Sequence, residues 1–303
     1  MKTSLKLICF CAAFLLSGQS AQAANKLTKI TGNIYAYMGT EDYSPDNSFG
    51  ANSGVVIGQN AVLVVDTQIS SKRAQALIAE IKKVTDKPIR YVLNTHWHVD
   101  HSFGNADFQA QGATVISHVQ AKGKMKVWSE KILAKGWSKV SKEEARGTKV
   151  VYPEVLFTKN MQIDLGGVTV DLVYFAHSHT VGSVYAYVAD EKVLFAGDML
   201  FNDYYANMSG ADVDGWVKTI NHVSTLDLAT VVPGHGALSG KKELTQMRSY
   251  IELFDKKAKE YASSTDDIAE VMKKMIKVLP PHTHGESSIH SSLKWKYMKK
   301  KKQ

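Results

Sequence analysis

The chain has 303 residues, 44% of them hydrophobic and 22% charged, which is enough apolar side chain to bury a large core in one globular domain. Beyond the N-terminus no apolar run is long enough to suggest a membrane span, and the formal net charge of +8 falls to +6 without Lys2 and Lys6. The two cysteines, Cys9 and Cys11, also lie in that N-terminal stretch, so the rest of the chain offers no disulfide and no thiolate ligand. A metal site here must be made of nitrogen and oxygen.

The N-terminal stretch reads as a secretory signal over residues 1–23. Lys2 and Lys6 give a basic start, residues 7–16 are apolar, and Ala21-Gln22-Ala23 is a small-residue cleavage site. A run of about ten apolar residues is too short to cross a bilayer, which takes ~20. Cys9 and Cys11 lack the preceding small residues of a lipoprotein signal. The expected product is a soluble, secreted, periplasmic chain that begins near Ala24 and has no stable membrane anchor.

Residues 33–38 and 53–66 are expected as strands, the second stretch folding into a hairpin about Gln59-Asn60. The intervening 39–52 is rich in Gly, Ser, Pro, Asp and Asn and reads as a loop. Ala74, Leu77, Ile78 and Ile81 give 70–84 helical spacing, with Pro88 beyond its end. A short strand at 89–93 delivers the chain into Asn94-Thr95-His96-Trp97-His98-Val99-Asp100-His101-Ser102-Phe103-Gly104-Asn105. Further strands are expected at 114–117, 155–157, 161–165, 168–175, 183–188, 192–195 and 230–232. Helices are expected at 119–139, 212–226 and 241–261. Strand runs broken by amphipathic helices imply a layered α/β protein with no dividing linker. The C-terminal part reads as a helical, basic extension whose lysine-rich tail is solvated.

His96, His98, Asp100 and His101 pack four potential ligands into six residues. Imidazoles and a carboxylate suit zinc, and residues two apart in extended chain share a face, so His96, His98 and Asp100 can converge from one strand end. Asp198 in Ala196-Gly197-Asp198 and His235 in Pro233-Gly234-His235-Gly236 follow short apolar runs, where strands end and loops gather ligands. A further histidine comes from His177-Ser178-His179-Thr180-Val181-Gly182, and the residues alone allow either His177 or His179. His282, His284 and His290 read as histidines of a solvated tail and are left outside the site.

The order His-X-His-X-Asp-His, His-Thr-X-Gly, Gly-Asp, Pro-Gly-His-Gly resembles the metallo-β-lactamase superfamily, over residues 33–239. The resemblance implies the four-layered αβ/βα sandwich of that family. It places the His-Thr-X-Gly element on His179 and leaves His177 at a strand end. It further implies two zinc ions (Zn2+) per chain, one held by His96, His98 and His179 and the other by Asp100, His101 and His235, with Asp198 bridging them. Asp66 matches an aspartate that supports the metal loop. The cysteine-bearing lactamases of the family have a thiolate at the bridging position; the aspartate version resembles glyoxalase II, lactonases and broad hydrolases.

The activity so implied is hydrolysis of a lactam, lactone, ester or thioester by a hydroxide shared between two metals, with Asp100 as catalytic proton relay. β-Lactam hydrolysis in particular, phosphodiester cleavage, an iron-dependent redox protein on the same fold, and a metal carrier are the alternatives. The expected partner is a small-molecule substrate and not nucleic acid, since no basic groove is evident. Tyr43 and Phe49 of the 39–52 loop, with Tyr204 and Tyr205, are candidates for an aromatic wall.

Overall fold

The computed structural model describes residues 26–39, 51–136 and 140–298. The signal, residues 40–50 with Tyr43 and Phe49, and the last lysines of the tail lie outside the described residues. Strands β1 (Leu27–Thr31), β2 (Ile34–Tyr37), β3 (Ser53–Ile57) and β4 (Val62–Val65) pair antiparallel in succession. Helix α1 (Ser71–Val84) then carries the chain to β5 (Ile89–Leu93), which lies parallel to β4. Short helices α2 (Val99–Ser102) and α3 (Asn105–Ala110) lead to β6 (Thr114–His118), and α4 (Val119–Lys135) leads towards β7 (Val155–Phe157), both strands again parallel.

The second sheet is built from β8 (Asn160–Asp164), β9 (Thr169–Val173), β10 (Tyr185–Val188) and β11 (Val193–Phe201), each antiparallel to the one before. Helix α5 (Val213–Ser224) returns the chain to β12 (Thr230–His235), parallel to β11 at the sheet edge. Helices α6 (Lys241–Ala262), α7 (Ile268–Val278) and α8 (Glu286–Ser292) follow, and a π-helical turn, Leu293–Tyr297, extends α8.

Alternation along the strands explains the layering, because successive side chains point to opposite faces. Val56, Leu63 and Leu93 from the first sheet meet Val170, Ala186 and Phe195 from the second in a shared inner core. Val55, Val64 and Val92, one residue out of phase, pack outward on Leu77, Ile78 and Phe108 of α1 and α3. On the other side Leu194 and Val231 pack on Trp216, Ile220, Leu244 and Ile251 of α5 and α6. The result is the four-layered αβ/βα sandwich expected. In α1 the Ser70 side chain accepts from the Arg73 amide at 3.2 Å, a cap of about 1 kcal/mol. The burial of Leu77, Ile78 and Ile81 contributes about 2 kcal/mol each.

Three expectations need correction. β1 was not anticipated, because its residues are only partly buried and its alternation is weak. Strand β11 does not stop at residue 195: a bulge at Gly197, whose φ is +51°, lets pairing with β12 resume as far as Phe201, so Asp198 lies within a strand. The histidine cluster is not one extended segment either. His96 and His98 lie on the loop after β5, while Asp100 and His101 belong to α2, whose N-cap is His98.

Candidate metal centre

The parallel order of β4 and β5, and of β11 and β12, brings their carboxyl ends to one edge of the sandwich. There the chain collects His96, His98, His179 and Asp198 in one group and Asp100, His101 and His235 in another, the ligand atoms of each within 4.8 Å of one another. All seven are buried except His98, which is partly exposed.

In the first group His98 Nδ1 lies 3.0 Å from His96 Nε2 and 3.1 Å from His179 Nε2. In the second, His101 Nε2 and His235 Nε2 are 3.4 Å apart, and each lies close to Asp100 Oδ2, at 3.5 and 3.4 Å. Asp198 spans the two. Its Oδ2 is 3.2 Å from His179 Nε2 and 3.6 Å from His96 Nε2, while its Oδ1 is 3.1 Å from His101 Nε2 and 3.3 Å from His235 Nε2. His177 is apart from these residues; its Nε2 donates to the Gly210 carbonyl at 2.8 Å.

The scaffold beneath is rigid. Asp66 sits at φ +63° at the end of β4, and its Oδ1 accepts the Thr95 amide at 2.8 Å. Its Oδ2 accepts the Thr95 hydroxyl at 2.7 Å and the His101 Nδ1 proton at 2.8 Å, which turns His101 Nε2 towards the site. The His101 carbonyl accepts from the Thr67 amide at 2.9 Å and from Asn94 Nδ2 at 3.1 Å. Asn94 and Asn105 pair reciprocally at 2.9 Å, locking α3 to the loop. Phe201 stacks on His235 with ring centroids 5.2 Å apart, and Trp216, fixed by an Nε1 bond of 2.9 Å to the Met199 carbonyl, packs edge-on to His179. Gly234 is required by close approach: a Cβ there would lie 2.0 Å from Asp198 Oδ1.

Protonation follows from burial and charge. Burial drives His96 well below its ordinary value and His98 down to about 3, the neighbouring imidazoles adding to the effect. Burial opposes charge on His101 and His235 as well, but Asp198 and Asp100 overcome it, holding His101 well above the usual range and His235 at about 9. Burial also works to raise Asp100 and Asp198, yet His101 with its neighbours holds both well below the carboxylate range. At Asp66 burial prevails over the His101 attraction and raises the carboxyl.

Such a donor set fits a metal. Imidazole nitrogens 3.0 to 3.1 Å apart, in a buried group, direct their ring nitrogens at a common point that an N/O-preferring divalent cation satisfies better than shared protons do. The carboxylates of Asp100 and Asp198 supply the compensating charge.

A family model described as the metallo-beta-lactamase superfamily matches residues 47–235. The chain belongs to the metallo-beta-lactamase superfamily. It is a metallo-hydrolase of that superfamily. A metallo-beta-lactamase type 2 from Bacteroides fragilis is 22% identical over 233 residues, covering 75% of this chain and 86% of the relative. A linear primary-alkylsulfatase from a Pseudomonas species is 21% identical over 266 residues. The α subunit of a 2,4-dinitroanisole O-demethylase from a Nocardioides species is 23% identical over 180 residues. The chain spans about half the length of each of these last two, 49% and 50%. Among solved structures, a metallo-beta-lactamase from Pontibacter korlensis superposes with a TM-score of 0.63 at 20% identity, covering 75% of this chain and 98% of that one. The DIM-1 metallo-beta-lactamase follows with a TM-score of 0.60 at 19% identity, covering 75% of this chain and 97% of that one. At these identities the structures establish the fold that the superfamily shares.

Above the seven residues lies a cleft of ≈ 200 Å³ lined by Trp97, Phe201, Tyr204 and Tyr205, so two of the tyrosines considered for an aromatic wall do line it. Sequence reasoning missed Asn207, Ile132 of α4, and Ser288 and Ser291 of α8, which line it as well. It also misread the histidines near the C-terminus. His282 and His284 are partly buried: His284 packs 4.7 Å from the Tyr204 ring, and His282 Nδ1 lies 3.7 Å from Asp203; His290 is exposed. The apolar spacing of α7 and α8 hints that this segment docks, but nothing local names its partner.

Proposed function

We propose that this chain is an exported dizinc hydrolase that cleaves a lactam, lactone, ester or thioester, with water as nucleophile. The observation that carries the reading is the Asp198 carboxylate, one oxygen of which faces His96 and His179 and the other His101 and His235. A carboxylate placed so could serve two metals, which His96, His98 and His179 would hold on one side and Asp100, His101 and His235 on the other. When bound, a pair of zinc ions supplies Lewis acidity towards a carbonyl oxygen and makes water nucleophilic near neutral pH.

The chain's own residues do the rest. Asp100, ionised and lining the cleft, orients the water and takes its proton, which it returns to the leaving group. Asp66 holds His101 in one tautomer, and Thr95 holds Asp66. Phe201, Tyr204 and Trp97 exclude bulk water and press the substrate towards the site. No side-chain nucleophile is needed. The basic start and apolar run before Ala24 support export, and among the described residues no helix is long and apolar enough to cross a membrane. A cleft with apolar walls gives no support to cleavage of a nucleic acid polyanion.

Zinc-loaded protein freed of residues 1–23, assayed against chromogenic lactam, lactone, ester, thioester and phosphodiester substrates, tests the proposal. Turnover of a carbonyl substrate that is lost in Asp100→Asn is expected. Turnover of the phosphodiester alone, or protein that carries iron and catalyses electron transfer, would replace the reading.

A further inference from the structure

The family match ends at residue 235, yet Ser288 and Ser291 of α8 line the same cleft as Trp97, His98 and Asp100. Helix α8 is held there by the segment that follows β11. Asp203 stands at φ +60°, its carboxylate accepts the Thr283 amide at 3.0 Å, and its carbonyl accepts the His284 amide at 3.3 Å. The Tyr205 amide in turn donates to the His284 carbonyl at 2.9 Å. Farther on, Ser292 Oγ accepts the Met208 amide at 2.8 Å, and Lys296 donates to the Ala211 carbonyl. The stretch 203–211 carries Tyr204, Tyr205 and Asn207 into the cleft, and this ladder ties it to the C-terminal helix. Wall and helix therefore form one unit.

The face that this unit turns to the cleft, Tyr204, Tyr205, Asn207, Ser288 and Ser291, is uncharged. Among the described residues that line the cleft there is no Lys or Arg. Away from the metal-facing side chains the walls are aromatic and aliphatic, with Trp97, Ile132, Phe201 and Tyr204 prominent, and the polar groups are Asn207, Ser288 and Ser291. Asn207 is held in place at the cleft by the Ser209 amide, which donates to its Oδ1 at 2.9 Å. A carboxylate or sulfate on the part of a substrate remote from the scissile bond would meet no Lys or Arg among the described residues there and would lose its hydration among aromatic faces. A neutral, apolar chain has no charge to desolvate on entering and gains burial.

Resting on the dizinc-hydrolase reading, we propose that α8 is the specificity wall of this site, and that the cleft selects substrates whose part remote from the scissile carbonyl is uncharged and apolar. The Ser291 hydroxyl donates to the Ser287 carbonyl at 3.2 Å, so it has acceptor capacity left for a ligand and no proton for an anionic end group. Ser291 is the position through which charge selection can be rewritten, because it lies on the partly exposed face of α8 at the cleft.

The test pairs two esters of equal length, 4-nitrophenyl hexanoate and the 4-nitrophenyl monoester of adipic acid, with zinc-loaded wild type and Ser291→Lys. The wild type is expected to favour the hexanoate at least tenfold in kcat/KM. Ser291→Lys is expected to cut that preference at least threefold through the KM of the anionic ester, with zinc content unchanged. The matched ketones, with CH2 in place of the ester oxygen, are titrated calorimetrically against wild type, so that the outcome depends neither on turnover nor on the variant's folding. Tighter binding of the neutral ketone, at least tenfold, supports the proposal. Equal or tighter binding of the anionic ketone overturns it. If neither ester is turned over while the neutral ketone still wins, the hydrolase reading falls and the selectivity stands; turnover of both esters without charge preference has the reverse meaning.

Discussion

Asp66→Asn separates the support of the site from its ligands. The carboxylate is buried and accepts three hydrogen bonds, from the Thr95 amide, the Thr95 hydroxyl and His101 Nδ1. Asparagine keeps the volume, tolerates the left-handed backbone at φ +63°, and retains one acceptor oxygen for the Thr95 amide. What it loses is the charge and the acceptor facing His101. A hydrogen bond to a charged group is worth about 1.5 to 3 kcal/mol, so the metal-free protein should melt roughly 3 to 10 °C lower. In the metal-loaded protein His101 loses the partner that sets its tautomer, and metal affinity should fall about 10- to 100-fold at the His101 side. His96 is reached only through Thr95, whose Oγ1 lies 3.1 Å from His96 Nδ1 and donates to Asp66, so the first group should weaken less than the second. Competition with a chromogenic chelator resolves two binding steps; the expected result is one strongly weakened step and one weakened less. Equal weakening of both steps, or of neither, would refute the assignment of Asp66 as the residue that orients His101 directly and His96 only through Thr95.

Three other outcomes follow from the same geometry. Metal uptake should release protons between about pH 6.5 and 9, because metal-free His235 holds its proton up to about 9 and a cation must displace it; calorimetry in buffers of different ionisation heat should show that release, and buffer-independent heats would contradict it. The raised His235 value also stabilises the metal-free fold fully below its unfolded value near 6.5 and loses that effect as pH rises through 9, whereas the depressed value of His98, about 3, removes stability as pH falls below 6.5, so the melting temperature of metal-free protein should peak near pH 6.5 and not on either flank. Gly234→Ala should displace Asp198, costing about 1 to 3 kcal/mol of stability and bringing metal content below one per chain; a variant with full metal content would show that the strand ends separate freely.

Much of the site was legible because its chemistry is dense and local. Four ligand-type residues in six, and glycines beside Asp198 and His235, mark positions where side chain and backbone both answer to a single point in space. The hairpin through Gln59-Asn60, α1 and β5 were legible for a different reason, since periodicity and caps are local signals. Asp198 was placed at a strand end because the bulge at Gly197 interrupts a run that pairing with β12 then restores, and pairing is not local. The strand geometry assumed for His96 to His101 failed because His98 caps a helix there, a role set by the fold of Asn94, Thr67 and Asn105 around the turn. Ser288 and Ser291 stand more than 50 residues beyond His235, and only the ladder from Asp203 to Thr283 and His284 brings them to the cleft. A lone serine on a short helix carries no sign of that contact.

On the proposed function one carboxylate, Asp198, holds two metals together. Elemental analysis of zinc-loaded wild type and Asp198→Ala by plasma mass spectrometry tests it most directly. Two zinc ions per chain are expected in the wild type and fewer than one in the variant, because both groups lose the oxygen that faces them. One zinc in the wild type, or two retained in Asp198→Ala, would contradict it.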